Sequence, residues 1–181
     1  WSDLDTLSAA IGDEFPADRI CPQKFDAALA PPSAAQLENR TVDSARLREG
    51  THWWKGRVDV LLIEGVGGLL CPSSEKETVA ALVAAPGTTL LIVSPLVLGT
   101  INHTLMTIEV AQQRGITVCG VLFNDLRGVD PEVEESTLNE ISQRTRVPFV
   151  GRIPYDRIGK LHPLEGREPI SWFKLAEEPS V

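Results

Sequence analysis

Three short apolar runs constrain the fold of this chain most: residues 58–63 (VDVLLI), 89–94 (TLLIVS) and 117–123 (TVCGVLF). Each is hydrophobic almost without a break, whereas a strand with one wet face alternates. Near-continuous apolarity is expected of a parallel strand covered on both faces. Residues 149–153 (FVGRI) form a shorter fourth candidate. Helical patterns lie between the runs. Residues 100–114 carry Ile101, Leu105, Ile108 and Ala111 on one face, and Gly115 supplies a stop. Asp130 followed by Pro131 reads as an N-cap with proline at the first helical position, ahead of Val133, Leu138 and Ile141. Glu132, Glu134 and Glu135 then fall in the first turns, where the helix dipole favours negative charge. Residues 42–54 and 77–84 are further helix candidates, and the opening WSDLDTLSAA reads as the approach to a helix. The proline-rich stretch 28–36 (ALAPPSAAQ) reads as a connecting loop. Strands that alternate with helices imply right-handed βαβ units and a mostly parallel sheet, hence an α/β fold.

Composition narrows the class of ligand. The chain has 181 residues, which suits one domain with a sizeable core, and 43% hydrophobic with 23% charged residues is ordinary for a globular protein. A net charge of −8 argues against nucleic-acid binding, which needs basic patches. It says nothing against a single bound phosphate ligand. Cys21, Cys71 and Cys119 are widely spaced and form no CxxC pair, so a reduced, cytoplasmic setting fits better than a disulfide framework or a zinc site. No apolar run reaches the roughly 18 residues that a membrane span requires, and no signal peptide is visible.

Ligands of parallel α/β sheets bind beyond the carboxyl ends of the strands, and the motifs fall there. The first is EGVGG, in which Glu64 follows an apolar run and Gly65, Gly67 and Gly68 come after it. It is neither GxGxxG nor GxxxxGK[ST], so it is neither a dinucleotide fingerprint nor a lysine-bearing phosphate loop. It suits a strand-end carboxylate for Mg²⁺, with glycines that let backbone approach a ligand; a tight turn before a solvated glutamate is the plain alternative. The second is LGTINHT, residues 98–104, where glycine, threonine and asparagine open the strongest helical pattern. Free N–H groups and the helix dipole make such a start an anion site, and simple capping by Thr100 or Asn102 is the alternative. The third is LFNDL, where Asn124 offers an amide suited to an adenine edge and Asp125 an acceptor; an Asx turn is the alternative. GRIPYD, residues 151–156, would line a base pocket through backbone and Pro154, or be a bare turn. His103 reads as packing or surface, His52 and His162 carry no assignment, Trp53 and Trp54 read as core, and Asp3 and Asp5 as surface acids.

In this order the pieces resemble the dethiobiotin synthetase family over most of the chain. VLLIEGVGGLLCP is similar to its EGxGG strand end, LIVSPLVLGTINHTLMTIEVAQQRGITVCGVLFND to its LGTxNH helix and N-D strand end, and VGRIP to its late turn. The resemblance implies a three-layer P-loop NTPase-like fold. It also implies conversion of 7,8-diaminopelargonate, CO2 and MgATP into dethiobiotin, ADP and phosphate. By resemblance, Glu64 is a Mg²⁺ ligand and Asp3 the other acidic ligand, with Asp5 as the alternative register. Asn124 and Asp125 would meet adenine with Ile153 and Pro154, beside Gly65 and Gly67 on the nucleotide side. Leu98, Gly99, Thr100, Ile101 and Asn102 would hold the substrate's distal carboxylate in the partner subunit of a homodimer, and Pro31 and Ser33 would lie near the diamine.

The family pattern also has a first strand, a GT…GKT phosphate loop and a further lysine ahead of the acidic ligand. None of these lies in residues 1–181. The expectation is therefore that a segment precedes Trp1, that it carries the catalytic lysines, and that residues 1–181 alone are nearly inactive. The alternative is a regulatory or dimerising nucleotide-binding-like domain of a larger protein. The tail after Pro163, with Trp172 and Phe173, is expected to pack on an apolar edge.

Overall fold

The computed structural model describes residues 2–84, 87–155, 161–164 and 171–177, and it divides into two compact units, residues 1–82 and 83–181.

The first unit is helical: α1 (Ser2–Ala10), α2 (Ala17–Ile20), α3 (Pro31–Leu37), α4 (Ser44–Trp53) and α5 (Val79–Val83). The opening residues form α1 itself rather than its approach. The stretch expected to be a loop contains α3. Pro31 and Pro32 occupy its first positions, where no N–H is needed, and Ala34 and Ala35 are buried. Asp43 caps α4 by accepting from the N–H of Arg46 at 3.0 Å. Trp54 is buried, and its indole Nε1 donates to the Arg19 carbonyl at 3.3 Å. Phe15 meets its ring edge-on at 4.7 Å, so the tryptophans serve packing, as the sequence suggests.

Residues 58–63 depart from expectation. They form no strand, and Leu61, Leu62 and Ile63 are exposed, Leu62 to 78%. A β-branched run becomes a strand only when its backbone groups find a ladder partner. Among the described residues of this unit the only such pairing is the isolated bridge Pro72–Thr78.

The second unit is the βαβ system: β1 (Leu90–Pro95), α6 (Thr100–Gln113), β2 (Val118–Asn124), α7 (Pro131–Ser142) and β3 (Phe149–Ile153), followed by α8 (Trp172–Glu177). The strands are parallel in the order β1-β2-β3. The two crossovers run in one direction across the sheet, and with the right-handed connection that parallel strands favour, α6 and α7 share a face, where the two helices touch. The central strand β2 is buried from Val118 to Phe123, which explains its unbroken hydrophobicity. Phe123 and Phe149 meet edge to face at 5.0 Å, and Ile108, Ala111 and Ile141 close the core from the helices. Gly120 is required by close approach, since a Cβ there would lie 2.3 Å from Val150 Cγ2.

Two polar features seal this core. Ser94 Oγ lies 2.8 Å from Thr100 Oγ1 and 2.6 Å from Thr104 Oγ1, and all three residues are buried. This hydroxyl trio ties the end of β1 to the first turns of α6. On α7 the expected apolar face is rotated: Val133 is 57% exposed, while Glu134 is buried and paired with the guanidinium of Arg152 on β3. Glu134 thus answers a cation rather than the helix dipole alone. In the tail α8 lies against β2, and Thr89 Oγ1 donates to the Leu175 carbonyl at 3.5 Å, so the tail packs as expected although Phe173 itself is exposed; the side chain of Trp172 lies outside the described residues.

Ser94→Ala is expected to cost about 1.5 kcal/mol in urea unfolding, because two buried hydroxyls lose their shared partner; a cost within the noise of a surface change would refute the trio. Arg152→Met is expected to cost about 2 kcal/mol by stranding the Glu134 carboxylate. Adding Glu134→Leu to it should restore most of that loss, and an additive double variant would contradict the pairing.

Candidate functional site at the carboxyl edge of the sheet

Parallel pairing gathers the ends of β1, β2 and β3 along one edge of the second unit. Asn124 is flanked in register by Pro95 of β1 and Ile153 of β3. Its carbonyl accepts from the Leu96 N–H at 2.9 Å, and the Asp125 N–H donates to the Ile153 carbonyl at 2.9 Å. The structure therefore brings together four residues marked in the sequence, Asn124, Asp125, Ile153 and Pro154. Asn124 and Ile153 are half-buried, which leaves side chains reachable from this edge.

The same edge leads into α6. Gly99 caps the helix in the left-handed region at φ +92°, and a Cβ there would come 3.2 Å from His103 Cε1. The Thr100 N–H donates to the Val97 carbonyl at 3.1 Å, and the His103 N–H to Gly99 at 3.0 Å. Among the described residues, the N–H groups of Ile101 and Asn102 are left as the open donors of the first turn. Leu98 is fully exposed, and Asn102 and His103 are exposed. Thr100 differs from its neighbours, because its hydroxyl is buried and turned inward to Ser94. Its contribution to a ligand would be through position in the turn rather than through its side chain.

Asp125 is only 6% exposed. Its Oδ1 accepts from the N–H groups of Arg127, Gly128 and Val129 at 3.0, 2.9 and 3.2 Å, and Oδ2 from Val129 at 3.1 Å. Desolvation pushes its pKa up, but the N–H donors of Arg127, Val129 and Gly128, with the Arg152 charge, outweigh it and hold the carboxyl below its ordinary value. The stability this carboxylate contributes is thus present above the ordinary aspartate pKa and lost as pH falls through the lower folded value. The Asx-turn reading of the sequence accounts for this geometry. Three residues of this region went unmarked as partners in the sequence: Arg152, Glu134 and the half-exposed Tyr155. The signal was available for Arg152, since a charge inside a buried strand calls for a partner.

The remaining marked residues belong to the first unit. Glu64 is exposed and stands between the apolar run and the glycine turn. A Cβ on Gly65 would lie 3.1 Å from Val79 Cγ1, and one on Gly67 3.2 Å from Cys71 Sγ, so both glycines answer close packing of this loop. The loop closes on itself through Cys71 N–H to Gly68 O at 2.8 Å and Ala80 N–H to Leu69 O at 2.9 Å. Asp3 lies exposed in the first turn of α1, and Pro31 and Ser33 lie on α3, not in a loop. Hard carboxylate oxygens such as those of Glu64 and Asp3 suit Mg²⁺ chemically. Among the described residues no group of three or more His, Cys, Asp or Glu could hold a metal. No helix of the described residues is long and apolar enough to cross a membrane.

Comparison with known proteins shows the family. An AAA domain family model matches residues 2–159, most of the chain and both of its units. The match makes the fold an α/β, P-loop NTPase-like one. An ATP-dependent dethiobiotin synthetase BioD of Anaeromyxobacter sp. (strain Fw109-5) is 34% identical over 175 residues, covering 97% of this chain and 76% of the relative. That of Anaeromyxobacter dehalogenans (strain 2CP-C) is 36% identical, covering 86% of the chain and 70% of the relative. That of Rhodopirellula baltica is 32% identical, covering 83% and 63%. With this identity sustained across the chain, and with the EGVGG turn, the LGTINH helix start and the N-D strand end all in place, the chain belongs to the ATP-dependent dethiobiotin synthetase family.

Proposed function

We propose that this chain is an ATP-dependent ligase of biotin biosynthesis, which carboxylates 7,8-diaminopelargonate with CO2 and closes the ring of dethiobiotin. The observation that carries the reading is 34% identity to an ATP-dependent dethiobiotin synthetase over 97% of the chain. A substrate amine captures CO2 as a carbamate, the γ-phosphate of ATP activates it, and the second amine closes the ring as phosphate leaves. Catalysis of this kind rests on positioning and charge neutralisation rather than on a protein nucleophile.

Each marked residue has a role in that scheme. Asn124 would present donor and acceptor to the adenine edge, with the backbone at Ile153 and Pro154 beside it. Its position at the carboxyl edge of a parallel sheet supports this. Gly65 and Gly67 would let backbone lie close to the nucleotide. The helix start from Leu98 to Asn102 would take the distal carboxylate of the diamine on the open N–H groups of Ile101 and Asn102. Pro31 and Ser33 would border the diamine. Glu64 and Asp3 would hold Mg²⁺, which when bound supplies charge neutralisation to the phosphates. A homodimer follows if the helix start serves the partner's site, and the full exposure of Leu98 is compatible with a surface that meets another subunit. A cytoplasmic setting is supported by three free cysteines, and a single domain by a family match that runs across both units. A regulatory module would have no use for the LGTINH element.

In the enzyme, Glu64→Gln is expected to lower Mg²⁺-dependent turnover on the order of 100-fold, while stability changes by less than about 0.5 kcal/mol, as befits an exposed residue. Unchanged turnover with ordinary Mg²⁺ dependence would make Glu64 a turn residue only. Asn124→Ala is expected to raise the KM for ATP about tenfold, the worth of one good hydrogen-bonded edge, and to leave the KM for the diamine nearly unmoved. Equal loss for both substrates would remove Asn124 from the base pocket.

A further inference from the structure

Asp125 is the most heavily bonded side chain at the strand ends, and its bonds all run inward. Four contacts from three consecutive N–H groups, at 2.9 to 3.2 Å, take up both carboxylate oxygens. A group so occupied and only 6% exposed has little left to offer a ligand. What it does instead is fold residues 126–129 into a turn directly after Asn124. That turn reaches the neighbouring strand end. Gly128 sits at φ +75°, and a Cβ on it would lie 3.5 Å from Tyr155 Cδ1, so the turn rests near the ring that follows Pro154. The Asp125 N–H meanwhile ties the same point to Ile153 at 2.9 Å. Arg152, one residue earlier on β3, adds its positive charge to the carboxylate's environment while it is held by Glu134.

We propose that Asp125 is the positioning residue of the base pocket: its carboxylate holds the 126–129 turn, and through it the Asn124 amide and the strand end from Ile153 to Tyr155, without touching nucleotide. The proposal rests on the reading of Asn124 as the group that meets adenine. It assigns Asp125 a role different from the direct contact that the sequence suggested. A base-reading amide discriminates only if its orientation is fixed before the ligand arrives, because a loose side chain loses affinity and selectivity together. The turn supplies that fixation through the Asp125 carboxylate, whose Oδ1 accepts from three successive N–H groups and whose Oδ2 shares the last of them.

The test compares Asp125→Ala, Asp125→Asn and Asn124→Ala in the enzyme, with ATP and ITP as nucleotides; ITP changes the purine edge and leaves the phosphates alike. Asp125→Ala is expected to raise the KM for ATP about tenfold, to reduce the preference for ATP over ITP, and to leave kcat and the diamine KM nearly unchanged. Asp125→Asn keeps one acceptor oxygen, and it should lie between the parent and Asp125→Ala in nucleotide preference. If Asp125→Ala does not fold, Asp125→Asn decides: an intermediate ATP preference supports the proposal, and parental preference overturns it. Parallel losses for ATP and diamine would also overturn it, since they would mark a merely structural residue. The two readings separate through Asn124→Ala. If that variant loses ATP preference while the Asp125 variants keep it, positioning by Asp125 fails and base reading stands. If Asn124→Ala keeps full preference, the base reading itself falls and the proposal falls with it.

Discussion

The parallel register of β2 against its two neighbours is the constraint on which the second unit depends. Because Pro95, Asn124 and Ile153 stand in line across three strands, the segments that leave those strands start from one edge. A parallel ladder cannot be closed by a tight turn, so each strand must return through a helix. The crossovers that satisfy this carry α6 and α7 over one face and leave from the carboxyl ends of the strands, the edge at which parallel sheets generally bind ligands. Without that register, Asn124, Ile153 and the start of α6 would be unrelated points on a chain.

Polar groups, rather than further apolar contacts, fix the details at this edge. The Ser94, Thr100 and Thr104 hydroxyls link strand to helix within the core. Glu134 and Arg152 join α7 to β3, and Asp125 shapes the turn that follows β2. Each group is buried or nearly so, and an unmet partner there would be costly. Such groups therefore specify one arrangement where hydrophobic packing alone would tolerate several.

Much of this was legible in the residues. The runs at 89–94, 117–123 and 149–153 became β1, β2 and β3 within a residue at each end, because their continuous apolarity matches burial on two faces. Asp130 capped α7 as its place before Pro131 indicated. Two expectations failed for one reason. The run at 58–63 has strand composition but no ladder partner among the described residues of its unit, and residues 31–37 have loop composition but bury two alanines as a helix. Composition reports preference, and tertiary contacts decide whether it is realised. Val133 and Glu134 exchanged roles likewise, since a charge on β3 outweighed the apolar pattern of α7.

The sequence by itself determined the family and the chemistry at stake, because EGVGG, LGTINH and the N-D strand end are local strings whose residue types suit a nucleotide and an anion without reference to distance. It also marked β1, β2 and β3, whose unbroken apolarity is a property of neighbouring residues, although the same signal at 58–63 gave no strand. Only the tertiary structure decided which marked side chains turn inward and which stay open to solvent. Thr100 turned inward to Ser94, and Asp125 turned to its own backbone, while Asn124 remained at the open edge. The physical reason is that a polar side chain bonds to the nearest unmet group, and which group is nearest is set by folding rather than by spacing along the chain.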